Sequence, residues 1–174
     1  TRIECRRQRQ MCIRDSLELD QAFEKLVDQL AGSDTALLVS ADHGFVDAPP
    51  EKRIDLSDHP ELKACLQVPL CGEPRHAYCY VRHDRRPQFE DYVEQHLSGI
   101  AQLYVSQNLV DENLYGLGGA HPELAHRTGD YTLVMEDNHV MIDSLPGDTT
   151  PQLVGYHGGL SSQEIYVPLI LVNL

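Results

Sequence analysis

The sequence predicts an α/β fold: a mostly parallel sheet flanked by helices, interrupted by a small α+β insertion. Three observations carry this. A stretch with the period of a surface helix, Leu17 to Leu30, leads through a short turn into the apolar run "TALLVSA". The chain closes on a second apolar run, "IYVPLILVNL", behind a glycine-rich loop. Between them, over about residues 60–150, short strand-like and helix-like patterns alternate.

The elements follow in order. Leu19, Ala22, Phe23, Leu26, Val27 and Leu30 share one helical face, and Gly32 ends the helix. The run after "GSD" is apolar on both faces, as a strand inside a parallel sheet is. Helix, turn and strand form half of a βαβ unit. Asp42 to Pro74, rich in Pro, Asp and Glu, reads as loop. "RHAYCYVR" (75–82) reads as a strand. "PQFEDYVEQHL" (87–97) reads as a helix with Pro in its first turn and Phe89, Tyr92, Val93 and Leu97 inward. "AQLYVSQ" fits a short strand, "DENLYG" a helical turn, and "DYTLVMED" with "HVMID" a hairpin-like pair. Ser161 and Glu164 form a capping-box pattern ahead of the final strand.

Residues 1–16, "TRIECRRQRQMCIRDS", break from this organisation. They lack periodicity and hold five of the 14 basic groups but only two of the 27 acidic ones. Their ending resembles translated sequencing-adapter read-through, so they are expected to be extraneous to the domain at 17–174; the alternative is a disordered basic tail. Neither is expected to pack.

The 174 residues suffice for one domain with a core. No apolar run approaches the ~18 residues of a membrane span, and no signal-peptide pattern is present, so no membrane role and a cytoplasmic location are expected. Five cysteines without a CxxC pair argue against a disulfide framework and against a thiolate zinc site. The net charge is −13, and beyond residue 16 there are 9 basic against 25 acidic groups. That is the wrong sign for nucleic-acid binding. Any phosphate chemistry here needs bound cations for its positive field.

Candidate chemistry sits at two places. Asp42 and His43 follow an apolar strand, where ligands collect in open α/β sheets, and Gly44 allows a tight turn behind them. A carboxylate and an imidazole suit zinc or a similar ion; on the residues alone, a capping Asp beside a half-buried His fits as well. Asp58-His59 and His83-Asp84 repeat the pairing in polar loops and read as solvated surface groups. His157, among Gly155, Gly158 and Gly159, has little packing around it and is the second candidate.

Taken together, "LLVSADHG" and, more than a hundred residues later, "GYHGGLSSQEIYVPLIL" resemble the alkaline phosphatase superfamily, specifically its type I phosphodiesterase and nucleotide pyrophosphatase branch. "GEPRHAYCYVR" and "RTGDYTLVM" are similar to the insertion of bacterial members, so the resemblance covers residues 17–174. It implies an alkaline-phosphatase-like fold and a metal-dependent hydrolase of phosphoric diesters or nucleotide pyrophosphates, acting on a small phosphate ester. Two divalent ions, zinc, are implied, with Asp42 and His43 on one and His157 on the other. A Thr or Ser nucleophile is implied as well. The family pattern puts that nucleophile and three further metal ligands ahead of Leu17, where this sequence has no match. The chain therefore reads as the carboxyl-terminal part of such a domain, without a catalytic residue and inactive alone. Ser161 and Ser162 read as helix-start residues. Two other readings share these residues: a sulfatase, phosphonate hydrolase or phosphomutase of the same superfamily, and a non-catalytic α/β metal-binding module.

Overall fold

A computed structural model of the chain describes residues 2–145, 147 and 153–174, and of residues 2–13 the backbone alone. The helices are α1 (Arg2–Leu30), α2 (Pro60–Cys65), α3 (Arg86–His96), α4 (Ser106–Asp111), α5 (Leu124–Arg127) and α6 (Ser162–Ile165). The strands are β1 (Ala36–Ser40), β2 (Val46–Asp47), β3 (Arg53–Asp55), β4 (Cys71–Glu73), β5 (His76–Cys79), β6 (Ala101–Val105), β7 (Tyr131–Met135), β8 (Val140–Ile142), β9 (Gly155–Tyr156) and β10 (Leu169–Asn173). They divide into two units, residues 1–41 with 168–174, and residues 42–167.

In the smaller unit, α1 begins at Arg2 and not at Leu17. Arg, Gln, Glu and Met are strong helix formers, and no Gly or Pro interrupts them before Gly32, so the helix runs on through residues without an amphipathic pattern. Gly32 ends it at φ +76°, and the Ser33 hydroxyl donates to the Leu30 carbonyl at 2.6 Å. β1 pairs with β10 antiparallel, from Ala36↔Asn173 to Ser40↔Leu169, where the sequence suggests a parallel neighbour. Leu38 and Leu171 are paired partners and lie open at 62% and 63% exposure. An apolar run records that a strand is suited to cover; it does not record which segment supplies that cover or in which direction.

The larger unit is built on a four-stranded antiparallel sheet in the order β4-β5-β7-β6. β7 is buried along its whole length, because β5 and β6 flank it and its apolar residues face a shared core. Pro in its first turn starts α3, which turns Phe89 and Val93 onto that core beside Leu56, Leu62, Val81, Leu97 and Leu133. Burying each of these side chains contributes roughly 1.5–3 kcal/mol. Two short pairings attach the rest: β3 with β8, parallel, and β2 with β9, antiparallel, over a small cluster of Ala48, Val140 and Tyr156.

Three expectations change here. Residues 42–74 are not loop: they contain β2, β3, α2, β4 and two 3-10 turns. β7 and β8 do not form a hairpin, because β7 takes β5 and β6 as partners and β8 takes β3. The helical turn expected at "DENLYG" lies earlier, as α4, and Asn113 with φ 59° follows it. Among the described residues no helix is long and apolar enough to cross a membrane. Cys65, Cys71 and Cys79 are free thiols.

Candidate functional site

Gly44 is the hinge of the site. Its N–H donates to the Glu164 carbonyl at 2.8 Å, and a Cβ there would lie 1.9 Å from the Gln163 carbonyl oxygen, so only glycine fits. One residue earlier stands His43; two residues later β2 begins and pairs Val46 with Tyr156 and Asp47 with Gly155 of β9. His157 follows β9 directly. That two-residue ladder brings the histidines together: their rings stack with centroids 3.9 Å apart and planes 17° from parallel. Phe45 sets its ring edge-on to both, at 4.9 Å from His43 and 5.3 Å from His157.

The ring nitrogens of His43 have distinct surroundings. Nδ1 lies 3.0 Å from the Gly44 carbonyl oxygen, which only accepts, so in that contact Nδ1 is the donor. Nε2 faces Asp42 Oδ2 at 3.6 Å. The Asp42 side chain is 88% exposed; its other oxygen accepts the His43 backbone N–H at 3.0 Å. Among the described residues no three His, Cys, Asp or Glu side chains surround one point closely enough to hold an ion. Asp42 with His43, and His157 beside them, are thus what this chain brings together. His59 is not a bare surface group, since its Nδ1 lies 2.9 Å from the Tyr92 hydroxyl; His83 is exposed.

Beside His157 opens a cavity of about 490 Å³, whose lining includes Phe45, Ile142, Tyr156, Asp55 and Glu73. Hydrogen bonds from the Ser57 backbone and side chain hold the Asp55 carboxyl below its ordinary value.

Sequence reasoning missed the support behind the histidines. Glu164 does not simply close a capping box: its carboxylate is buried and accepts from Arg75 Nε at 2.7 Å, Arg75 Nη2 at 2.8 Å, the Gly159 N–H at 2.8 Å and the Ser161 hydroxyl at 2.6 Å. Burial by itself raises a carboxyl pKa, but here the donors outweigh it and Glu164 is held below its ordinary 4.5. The unfolded chain therefore takes up this proton first. The carboxylate's contribution to stability is complete above pH 4.5 and is lost as pH falls through the lower folded value. Acid denaturation followed by circular dichroism is expected to show a component below pH 4.5 that Glu164→Gln lacks. Superimposable acid limbs would mean that the carboxylate is not held ionised.

Comparison with known proteins adds the following. A family model described as type I phosphodiesterase / nucleotide pyrophosphatase matches residues 12–160. No curated protein sequence matches. Among solved structures, murine ectonucleotide pyrophosphatase / phosphodiesterase 5 superposes with a TM-score of 0.63 at 15% identity over 87% of this chain. The human protein of that name gives 0.65 at 15% over 88%. Phosphonoacetate hydrolase from Sinorhizobium meliloti 1021, in complex with phosphonoformate, gives 0.60 at 20% over 86%. The murine protein also appears as an inactive variant in complex with AMP. These likenesses show a shared mixed α/β fold, and the chain spans only 38–39% of those proteins' length.

Proposed function

Because the chain belongs to the type I phosphodiesterase / nucleotide pyrophosphatase family, we propose that it supplies part of a metal-dependent site hydrolysing phosphoric diesters or nucleotide pyrophosphates. Asp42 and His43 hold one divalent ion, zinc, and His157 holds a second. The 3.6 Å between Asp42 Oδ2 and His43 Nε2 carries this reading. Two donors each ~2.1 Å from a tetrahedral zinc ion stand about 3.4 Å apart, so the pair is spaced to chelate one ion. The stacked rings support a second ion. Lone pairs lie in the ring planes, and near-parallel rings with centroids 3.9 Å apart do not aim them at one point. They suit ions side by side, as in two-metal sites with spacings of ~3.5–4 Å.

Bound there, the ions supply the positive field that the acidic chain lacks and stabilise charge on the phosphoryl oxygens. The chain's own groups do the rest. The Gly44 carbonyl orients the His43 ring through Nδ1, Phe45 packs edge-on against both rings, and the cavity beside His157 receives the organic part of the ester. The nucleophile comes from a part of the family domain outside these residues, so the chain alone is inactive. A phosphonate hydrolase is the second reading, favoured by the likeness to phosphonoacetate hydrolase.

Zinc titration against a chromophoric chelator tests the ligand set. The chain is expected to bind zinc weakly, since a tight site takes three or four protein ligands. His43→Ala and His157→Ala should each weaken binding further, and His83→Ala should leave it unchanged. Parent-like affinity in both site variants would remove the reading.

A further inference from the structure

We infer that the Arg75–Glu164 ion pair is a positioning device that sets the separation of the two imidazoles and ties it to the inserted sheet. The inference rests on the metal-site reading above. Arg75 and Glu164 are 1% and 3% exposed. A buried ion pair is a poor source of stability, because desolvation cancels most of the attraction and apolar side chains of similar volume do as well. What apolar side chains lack is hydrogen bonding, and here the hydrogen bonds lead to the site.

Glu164 reaches both metal-ligand loops. Its carboxylate accepts the N–H of Gly159, two residues after His157, and its backbone carbonyl accepts the N–H of Gly44, next to His43. The glycines beside the histidines are pressed against this assembly. A Cβ at Gly159 would lie 2.7 Å from Glu164 Oε2 and 2.9 Å from Arg75 Nε, and one at Gly158 would lie 2.6 Å from Glu73 Cβ. Arg75 is anchored in turn. It sits between β4 and β5, its carbonyl accepts from Met135 of β7 at 3.0 Å, and its Nη1 donates to the His139 carbonyl at 2.7 Å. The four-stranded sheet thus reaches the histidines through one guanidinium and one carboxylate, beside the packing of Glu73 of β4 on Gly158. A shift of that sheet would move the His157 loop relative to the His43 loop.

The test separates stability from positioning in the 174-residue chain. Removing one partner of a buried pair destabilises strongly, whereas replacing both by apolar residues is often neutral. Arg75→Met/Glu164→Leu is therefore compared with Glu164→Gln and His157→Ala for thermal unfolding, zinc affinity and the visible absorption of bound Co²⁺. The double variant is expected to keep the parent's circular dichroism. It should lose about tenfold to a hundredfold in zinc affinity, the range for second-layer partners of metal ligands, with a changed Co²⁺ spectrum. Glu164→Gln should lose affinity in the same direction. A stable double variant with parent affinity and spectrum would overturn the proposal, provided that His157→Ala weakens binding; if His157→Ala also binds like the parent, the metal-site reading itself fails. If neither pair variant folds, the pair is structural and the proposal falls.

Discussion

Replacing Gly44 with alanine is expected to separate the two histidines while leaving the main core folded. The added Cβ would stand 1.9 Å from the Gln163 carbonyl oxygen and 3.3 Å from the Glu164 Cα, both backbone atoms, so no rotamer change relieves the clash. The loop must move away from α6, which also breaks the hydrogen bond from the Gly44 N–H to the Glu164 carbonyl. Overpacking of this kind costs about 1–3 kcal/mol. The cluster of Leu56, Phe89, Leu97 and Leu133 contains no residue of this loop, so the four-stranded sheet should survive. The histidine ring protons report the change directly. In the parent chain, stacking of His43 on His157 should give strong ring-to-ring nuclear Overhauser contacts. In Gly44→Ala those contacts should vanish and zinc affinity should fall by at least about tenfold, the low end of the effect of misplacing a ligand's support. Unchanged contacts and affinity would show that the glycine is not the hinge.

How much of this was legible in the sequence depended on range. α3 was legible because Pro87, Phe89, Val93 and Leu97 sit within three turns of one another and the helical period is local. His157 stood out because three glycines leave a histidine with little to pack on. The family resemblance linked it to Asp42 and His43, and the structure brings the two histidine rings into contact. Pairing was not legible. "DYTLVMED" and "HVMID" alternate as a hairpin does, yet β7 is claimed by β5 and β6 and β8 by β3, partners that short-range patterns do not encode. β1 reads as buried because both its faces are apolar, but Leu38 is exposed. Glu164 was masked by a sufficient local explanation, since it lies three residues after Ser161 as a capping residue does. Its true partner, Arg75, is 89 residues away in a strand-like segment that gives no hint of a buried guanidinium. Gly44 reads in the sequence as permitting a tight turn; the contact with Gln163 that excludes any side chain is visible only in the fold.

The most direct measurement of the central claim is hydrolysis of bis-p-nitrophenyl phosphate with added zinc by three proteins: this chain, the gene product recovered from genomic DNA across the Leu17 junction, and its His157→Ala variant. On the proposed reading the chain alone supplies two donors to one ion and one to the other and lacks the nucleophile, so it should give no metal-dependent turnover. The longer protein should turn over. In it, His157→Ala should remove at least about a hundredfold of the activity, because loss of a ligand exceeds the roughly 10–100-fold cost of losing a ligand's supporting partner. Turnover by the 174-residue chain by itself, or full activity in the His157→Ala protein, would contradict the account.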